Sequence, residues 1–182
     1  MCLLEVRRHA RRDRPAQHLA QRGVDAARAL GKKLGPFDRV VTSPVPRCVE
    51  TAVAMGFAVD QDCPELAGHD GRGETFPGMD AVDWDAGYVG FARLFEQAGQ
   101  FAAFANAQLN AWRRIAHGLA EGGRALIIGH GGFIEAGTVA AFPTADYEAW
   151  GRAARHCEGV LVHIDQDTFV NIEILRVSKH KR

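Results

Sequence analysis

Residues 125–132 read ALIIGHGG, four large or small apolar residues followed by a glycine-rich turn around His130. A run this short and this apolar, preceded by Gly122-Gly123, reads as a buried strand. Residues 133–141 then read as a helix. Upstream, Phe101, Ala105, Gln108, Trp112, Ile115 and Leu119 recur at helical spacing up to the glycine pair, so a long helix enters this strand.

The same alternation holds towards the N-terminus. Residues 3–7 form an apolar-rich first strand that stops at His9. Residues 17–34 place Ala20, Val24, Ala27, Leu30 and Leu34 on one helical face, closed by Gly35-Pro36. Residues 39–42 (RVVT) read as a second strand. Ser43 follows as an N-cap with Pro44 at the first helical position, and that helix runs to about Met55 with Gly56 as its stop. Residues 57–59 are a candidate third strand. Residues 62–90 are rich in Gly, Pro and Asp without periodicity, and the stretch of about 62–100 is expected to be an insertion or lid. Residues 159–164 and 169–175 read as two late strands joined at Asp165-Gln166-Asp167. Strands alternating with helices predict an α/β fold, a three-layer α/β/α sandwich on a mostly parallel central sheet.

A length of 182 residues predicts a single domain, residues 1–182. Hydrophobic residues at 47% and charged residues at 24% are a globular mix, and no apolar run reaches the roughly 18 residues of a membrane span. The first eight residues make no secretory h-region, so a cytoplasmic protein is expected. Cys2, Cys48, Cys63 and Cys157 form no C-x-x-C pair, which fits neither a zinc knuckle nor a disulfide scaffold and predicts free thiols. His69, His117, His156, His163 and His180 lack partners at ligand spacing, so no metal and no cofactor is expected.

Twenty-two basic residues balance twenty-two acidic ones, which argues against nucleic-acid or membrane partners. The local distribution is uneven. Arg7, Arg8, Arg11, Arg12 and Arg14 fall within eight residues, whereas the eight carboxylates from Asp60 to Asp85 face only Arg72. The basic tail 179–182 reads as a solvated end.

Three segments sit where strands end: Arg8-His9-Ala10, Ser43-Pro44-Val45-Pro46-Arg47, and Gly129-His130-Gly131-Gly132. In sheets of this kind the ligand site lies at the carboxyl ends of the strands, so the fold gathers them. Guanidinium forks match phosphoryl oxygens, and helix N-termini near Ser43 and Gly132 favour the same anion. A neutral imidazole can attack phosphorus and hand the phosphoryl group to water, which gives His9 the nucleophile's place. Arg8, Arg47 and His130 would bind the phosphate oxygens.

These motifs, with Glu50-Thr51-Ala52 behind Arg47, resemble the three ordered signatures of the histidine phosphatase superfamily, the phosphoglycerate-mutase-like fold, over about residues 3–140. Gln21-Arg22-Gly23 resembles the family's Thr-x-x-Gly at the first helix. Ala10 stands where glycine is more usual. Arg12 resembles an extra arginine of the acid-phosphatase branch, whereas Gly131 stands where that branch usually has aspartate. The other branch carries an acid in a Leu-x-Glu pattern after the third strand; the resemblance implies Glu65 as proton donor, with Asp70 next, and likens Gly73-Glu74-Thr75 to a Gly-Glu-Ser. Trp84, Tyr88 and Phe91 either line a pocket or pack. Cys48 reads as a small buried residue beside the site, or as an oxidant-sensitive thiol.

The expected activity is hydrolysis of a small phosphorylated substrate through phospho-His9. A phosphoglycerate-type mutase needs a second anion site, which Arg72 alone would have to supply. A phosphohistidine protein phosphatase would meet the insertion. A catalytically silent phosphate-binding module is the alternative outside enzymes. Oligomeric state stays open.

Overall fold

A computed structural model describes residues 1–13 and 15–177; Arg14, His180 and the rest of the basic tail lie outside the described residues. The elements run β1 (Cys2–Arg8), α1 (Gln21–Gly31), β2 (Arg39–Thr42), α2 (Pro46–Met55), β3 (Gln61–Asp62), α3 (Tyr88–Glu96), α4 (Gly99–His117), β4 (Arg124–Gly129), α5 (Phe133–Ala141), α6 (Tyr147–Trp150), β5 (Gly159–Asp165) and β6 (Thr168–Leu175). The strands form one sheet in the order β3-β2-β4-β1-β5-β6. The β3-β2-β4-β1 portion is parallel, and β5 and β6 add an antiparallel edge beside β1.

Alternation along β4 explains the layers. Ala125 and Ile127 pack with Trp112 and Ile115 of α4, while Leu126 and Ile128 pack with Ala27 of α1 and Ala52 and Met55 of α2. Successive strand residues point to opposite faces, so an all-apolar strand requires helices on both sides. A three-layer α/β/α sandwich on a mostly parallel sheet results, as the sequence predicts.

Several boundaries move for local reasons. Helix α1 begins at Gln21, not at residue 17, because the preceding backbone is bound elsewhere: Leu19 N–H donates to Glu50 at 2.7 Å and Ala20 N–H to Arg11 O at 3.0 Å. Gly23 is required there, since a Cβ would overlap the Arg11 carbonyl. Helix α2 begins at Pro46, two residues later than the Ser43-Pro44 reading, with Val45 as its extended N-cap. A residue before proline is pushed out of the helical region, so the second proline sets the start. The third strand is Gln61–Asp62 and not residues 57–59; Phe57 N–H still closes α2 on Ala52 O, and its ring packs edge-on against Phe37.

The stretch expected as an irregular insertion is largely packed. It holds two 3-10 turns, Pro64–Ala67 and Met79–Ala81, and the unforeseen helix α3. Phe76, Tyr88, Phe91 and Leu94 join Phe101 and Phe104 of α4 and Phe133 of α5 in a separate aromatic cluster.

Candidate active site

Strand register builds the site. In β1, Arg8 stands opposite Gly129 of β4, and in β2, Thr42 stands opposite Ile128. The ladder continues one step: His9 N–H donates to Gly129 O and Ser43 N–H to Ile128 O, both at 2.9 Å. His9, Ser43 and His130 therefore emerge side by side. The helices following β1 and β4 cover opposite faces of the sheet, so a crevice opens between these two strand ends. A cavity of about 540 Å³ lies there, lined by residues that include Arg8, His9, Arg47 and His130. Thus the structure brings together all four residues read from the strand-end motifs.

The two histidines are fixed by their partners. His9 Nδ1 lies 2.7 Å from the Ala10 carbonyl, which only accepts, so the proton sits on Nδ1 and Nε2 keeps its lone pair. Burial pulls the His9 pKa down to about 2, with His130, Arg47 and Arg8 adding to the effect. The His130 ring lies 5.4 Å from that of His9, edge-on. Its Nδ1 faces Arg47 Nη2 at 3.1 Å, a group that only donates, so Nε2 carries the proton and donates to Ser43 Oγ at 2.9 Å. Burial, then Arg47 and Arg8, holds His130 at about 3.

Arg47, 1% exposed on the first turn of α2, touches both histidines and the loop over them. Its Nε donates to His9 Nε2 at 3.1 Å, and Nη2 also donates to the carbonyls of Arg72 at 2.6 Å and Gly73 at 3.1 Å. Its Nη1 donates to Gln17. Arg8 Nη1 donates to Ala154 O at 2.9 Å, while Ala154 N–H donates to the buried Glu135, which also takes Gly132 N–H at 2.6 Å. Gly73 lies at φ +62, and a Cβ would overlap the His130 ring, so glycine is needed for this close approach.

Not every arginine of the N-terminal cluster serves the cavity. Arg7 turns into the sheet, pairing with Glu5 at 2.5 Å and donating to Cys157 O at 2.8 Å. Arg11 and Arg12 line the cavity. Arg12 grips both oxygens of Glu74 at 2.8 and 2.9 Å, and Gln17 Nε2 donates to Glu74 at 2.8 Å. Those hydrogen bonds, Arg12 first, hold Glu74 at about 2 against the opposing effect of burial.

The carboxylates picked for acid chemistry lie elsewhere. Glu65 does not line this cavity; 49% exposed, it pairs with Arg114 of α4 at 2.5 Å and accepts from the Cys63 thiol at 3.2 Å. The 3-10 turn Pro64–Ala67 sends its side chain out over α4. Asp70 is also absent from the lining. Its oxygens take the N–H groups of Arg72, Gly73, Glu74 and Thr75 and the Thr75 hydroxyl, at 2.9–3.3 Å. It shapes the loop whose carbonyls hold Arg47. The carboxylates that do line the cavity, among the described residues, are Asp13 and Glu74.

Sequence reading left several supports unassigned. Ser43 orients His130, Gln17 bridges Arg47 and Glu74, and Thr51 Oγ1 accepts Ala10 N–H at 2.9 Å while donating to Arg47 O at 2.6 Å. Ser43 and Thr51 were visible as motif positions, but their partners depend on tertiary contact. His156 also lines the cavity, its ring 5.6 Å from that of His9. Of the aromatic trio, Tyr88 and Phe91 are fully buried and only Trp84 reaches the cavity. Cys48 is buried, its thiol pushed up to about 12 by burial, which leaves it unreactive. Among the described residues no group of three His, Cys, Asp or Glu could hold a metal ion, and no helix is long and apolar enough to cross a membrane.

Solved structures share this fold. A phosphoserine phosphatase from Entamoeba histolytica, in complex with 3-phosphoglyceric acid, matches 97% of this chain and 98% of its own at 14% identity, with a TM-score of 0.68. A mycobacterial glucosyl-3-phosphoglycerate phosphatase matches 97% and 99% at 18% identity, TM-score 0.63. A phosphoglycerate mutase from Bacillus anthracis matches 97% and 92% at 16% identity, TM-score 0.63. No curated protein sequence matches. The model of the histidine phosphatase superfamily (branch 1) matches residues 5–174, which also resolves the mixed branch features at Arg12 and Gly131, and the chain belongs to that family.

Proposed function

We propose that this protein hydrolyses phosphomonoesters in two displacements through phospho-His9. The observation that carries the reading is the neutral His9 imidazole, its unprotonated Nε2 held by Arg47 Nε at 3.1 Å in a cavity shared with Arg8, Arg47 and His130, where a bound phosphate would compete for that guanidinium. Family membership supports phosphatase- or mutase-type activity. In the first step Nε2 attacks phosphorus, the P–O bond breaks with its electron pair going to the leaving alkoxide, and that alkoxide takes a proton from a carboxyl group. In the second, water attacks phosphorus, the P–N bond breaks, its electron pair returns to Nε2, and the water's proton passes to a carboxylate. Arg8 and Arg47 offset the charge on the equatorial oxygens. Four free cysteines fit a reducing cytoplasm.

Glu74, and not Glu65, takes the proton-transfer role in this reading. It lines the cavity, and Arg12, which holds its pKa at about 2, is the neighbour a phosphate dianion would draw away. Loss of that partner beside an incoming dianion raises the carboxyl's affinity for a proton. Glu74→Gln is expected to slow alkyl phosphates on the order of a hundredfold, since an alkoxide cannot leave unprotonated, and p-nitrophenyl phosphate far less. Glu65→Gln should change both by under about threefold on the same argument. Steady-state rates on the two substrates check this; equal losses in Glu74→Gln, or a selective loss in Glu65→Gln, would return the role to Glu65.

Arg72, the lone Lys or Arg of the acidic segment, supplies no second anion site for mutase chemistry, since it meets Arg47 through its backbone carbonyl and does not line the cavity. The test of the whole reading is turnover of p-nitrophenyl phosphate by purified protein, expected to persist in EDTA because guanidinium and imidazole groups supply the positive field. Acid-labile, alkali-stable phosphate should appear on the protein during turnover. Absence of turnover would leave a silent phosphate-binding module.

A further inference from the structure

The cavity extends beyond the groups that would hold a phosphoryl unit. Phe76, Met79 and Trp84 also line it. Phe76 is buried, stacked on Phe104 with centroids 5.6 Å apart. Trp84 is 44% exposed although the aromatic cluster beside it buries Tyr88 and Phe91 completely. Its indole is held edge-on by Phe91 at 5.1 Å and by Phe76 at 6.2 Å. An indole fixed on two sides and open on the cavity side is a rigid stacking platform.

Charge separates the candidate occupants. Among the described lining residues, four arginines face Asp13 and Glu74, leaving two positive charges, the charge of one phosphate dianion. A second anionic group set against Phe76, Met79 and Trp84 would meet an apolar wall without countercharge, whereas an uncharged ring packs on it. A volume of about 540 Å³ holds a substituent well beyond the phosphoryl group itself.

We propose that Phe76, Met79 and Trp84 form a subsite for a flat, uncharged ring carried on the alcohol side of the substrate, so that the preferred phosphomonoesters are those of aryl or arylalkyl alcohols. For turnover this rests on the phosphatase reading; for binding it does not. The two separate in one experiment. Affinities of 2-naphthylmethylphosphonate and methylphosphonate, which cannot be hydrolysed, are measured by calorimetry, and rates are measured on the corresponding phosphate esters.

Wild-type protein should bind the naphthyl probe at least about tenfold more tightly, on the usual scale of stacking on an aromatic side chain. Trp84→Ala should shrink that preference by about tenfold or more, and Trp84→Phe should restore most of it. Taking the preference as a ratio makes methylphosphonate the control for a fold weakened by the substitution. Equal affinity of wild-type protein for the two probes, or an unchanged ratio in Trp84→Ala, would overturn the subsite. Tight naphthyl binding without hydrolysis of either ester would overturn the phosphatase reading and leave the subsite standing.

Discussion

His9→Ala is expected to take turnover of p-nitrophenyl phosphate down by on the order of 10⁴-fold or more, the scale of deleting a covalent nucleophile. No phosphoryl group should then become attached to the protein. The variant removes a neutral ring, and the buried Arg47 that loses an acceptor at Nε keeps Gln17, His130 and the carbonyls of Arg72 and Gly73, so circular dichroism should match wild type. The same burial has a kinetic signature. With its pKa held at about 2, His9 does not titrate between pH 4 and 7, and any acid limb of kcat/KM in that range should follow the second ionisation of the substrate. Substrates with different phosphate pKa values would then show different limbs. Near wild-type activity in His9→Ala, or a limb common to all substrates, would refute the nucleophilic role.

Arg47→Lys is expected to lower kcat/KM by about a thousandfold although the charge is kept. One guanidinium meets His9, His130, two carbonyls and Gln17 at once. A lysine ammonium offers a single point of attachment and cannot hold this fork, so the phosphate-facing geometry goes with the arginine. Kinetics on p-nitrophenyl phosphate decide the matter: a loss under about tenfold would mean that charge alone suffices.

The parts legible in the sequence were those whose signals are local. The ALII strand, the glycine turn and the helix Phe133–Ala141 are read correctly because apolar runs and glycines mark them without help from distant residues. From that alternation followed the sheet edge, and with it the meeting of His9, Arg47 and His130. Helix α3 escaped because its N-cap, Gly87, gives no side-chain signal, and its apolar face is completed by Phe101, Phe104 and Phe133 from other helices. Glu65 illustrates the limit of spacing. It stands where the family resemblance implies an acid, yet the chain between Gly68 and Thr75 doubles back around Asp70, and this turn brings Glu74 to the cavity and leaves Glu65 with Arg114. No count along the chain reports such a reversal.

The burial that keeps His9 and His130 uncharged also bears on how the protein withstands acid. In the unfolded chain both imidazoles take up protons below about pH 6.5, whereas in the folded chain they resist protonation down to about pH 2 and 3. The unfolded state therefore binds more protons throughout that window, and the folded state loses ground as pH falls below about 6.5. Above pH 7 both states hold the rings neutral and the penalty vanishes. A phosphate anion bound beside the two rings would favour their protonated forms and work in the opposite direction, so phosphate in the surrounding solution should protect the fold most where the empty protein is weakest, on the acid side of neutrality.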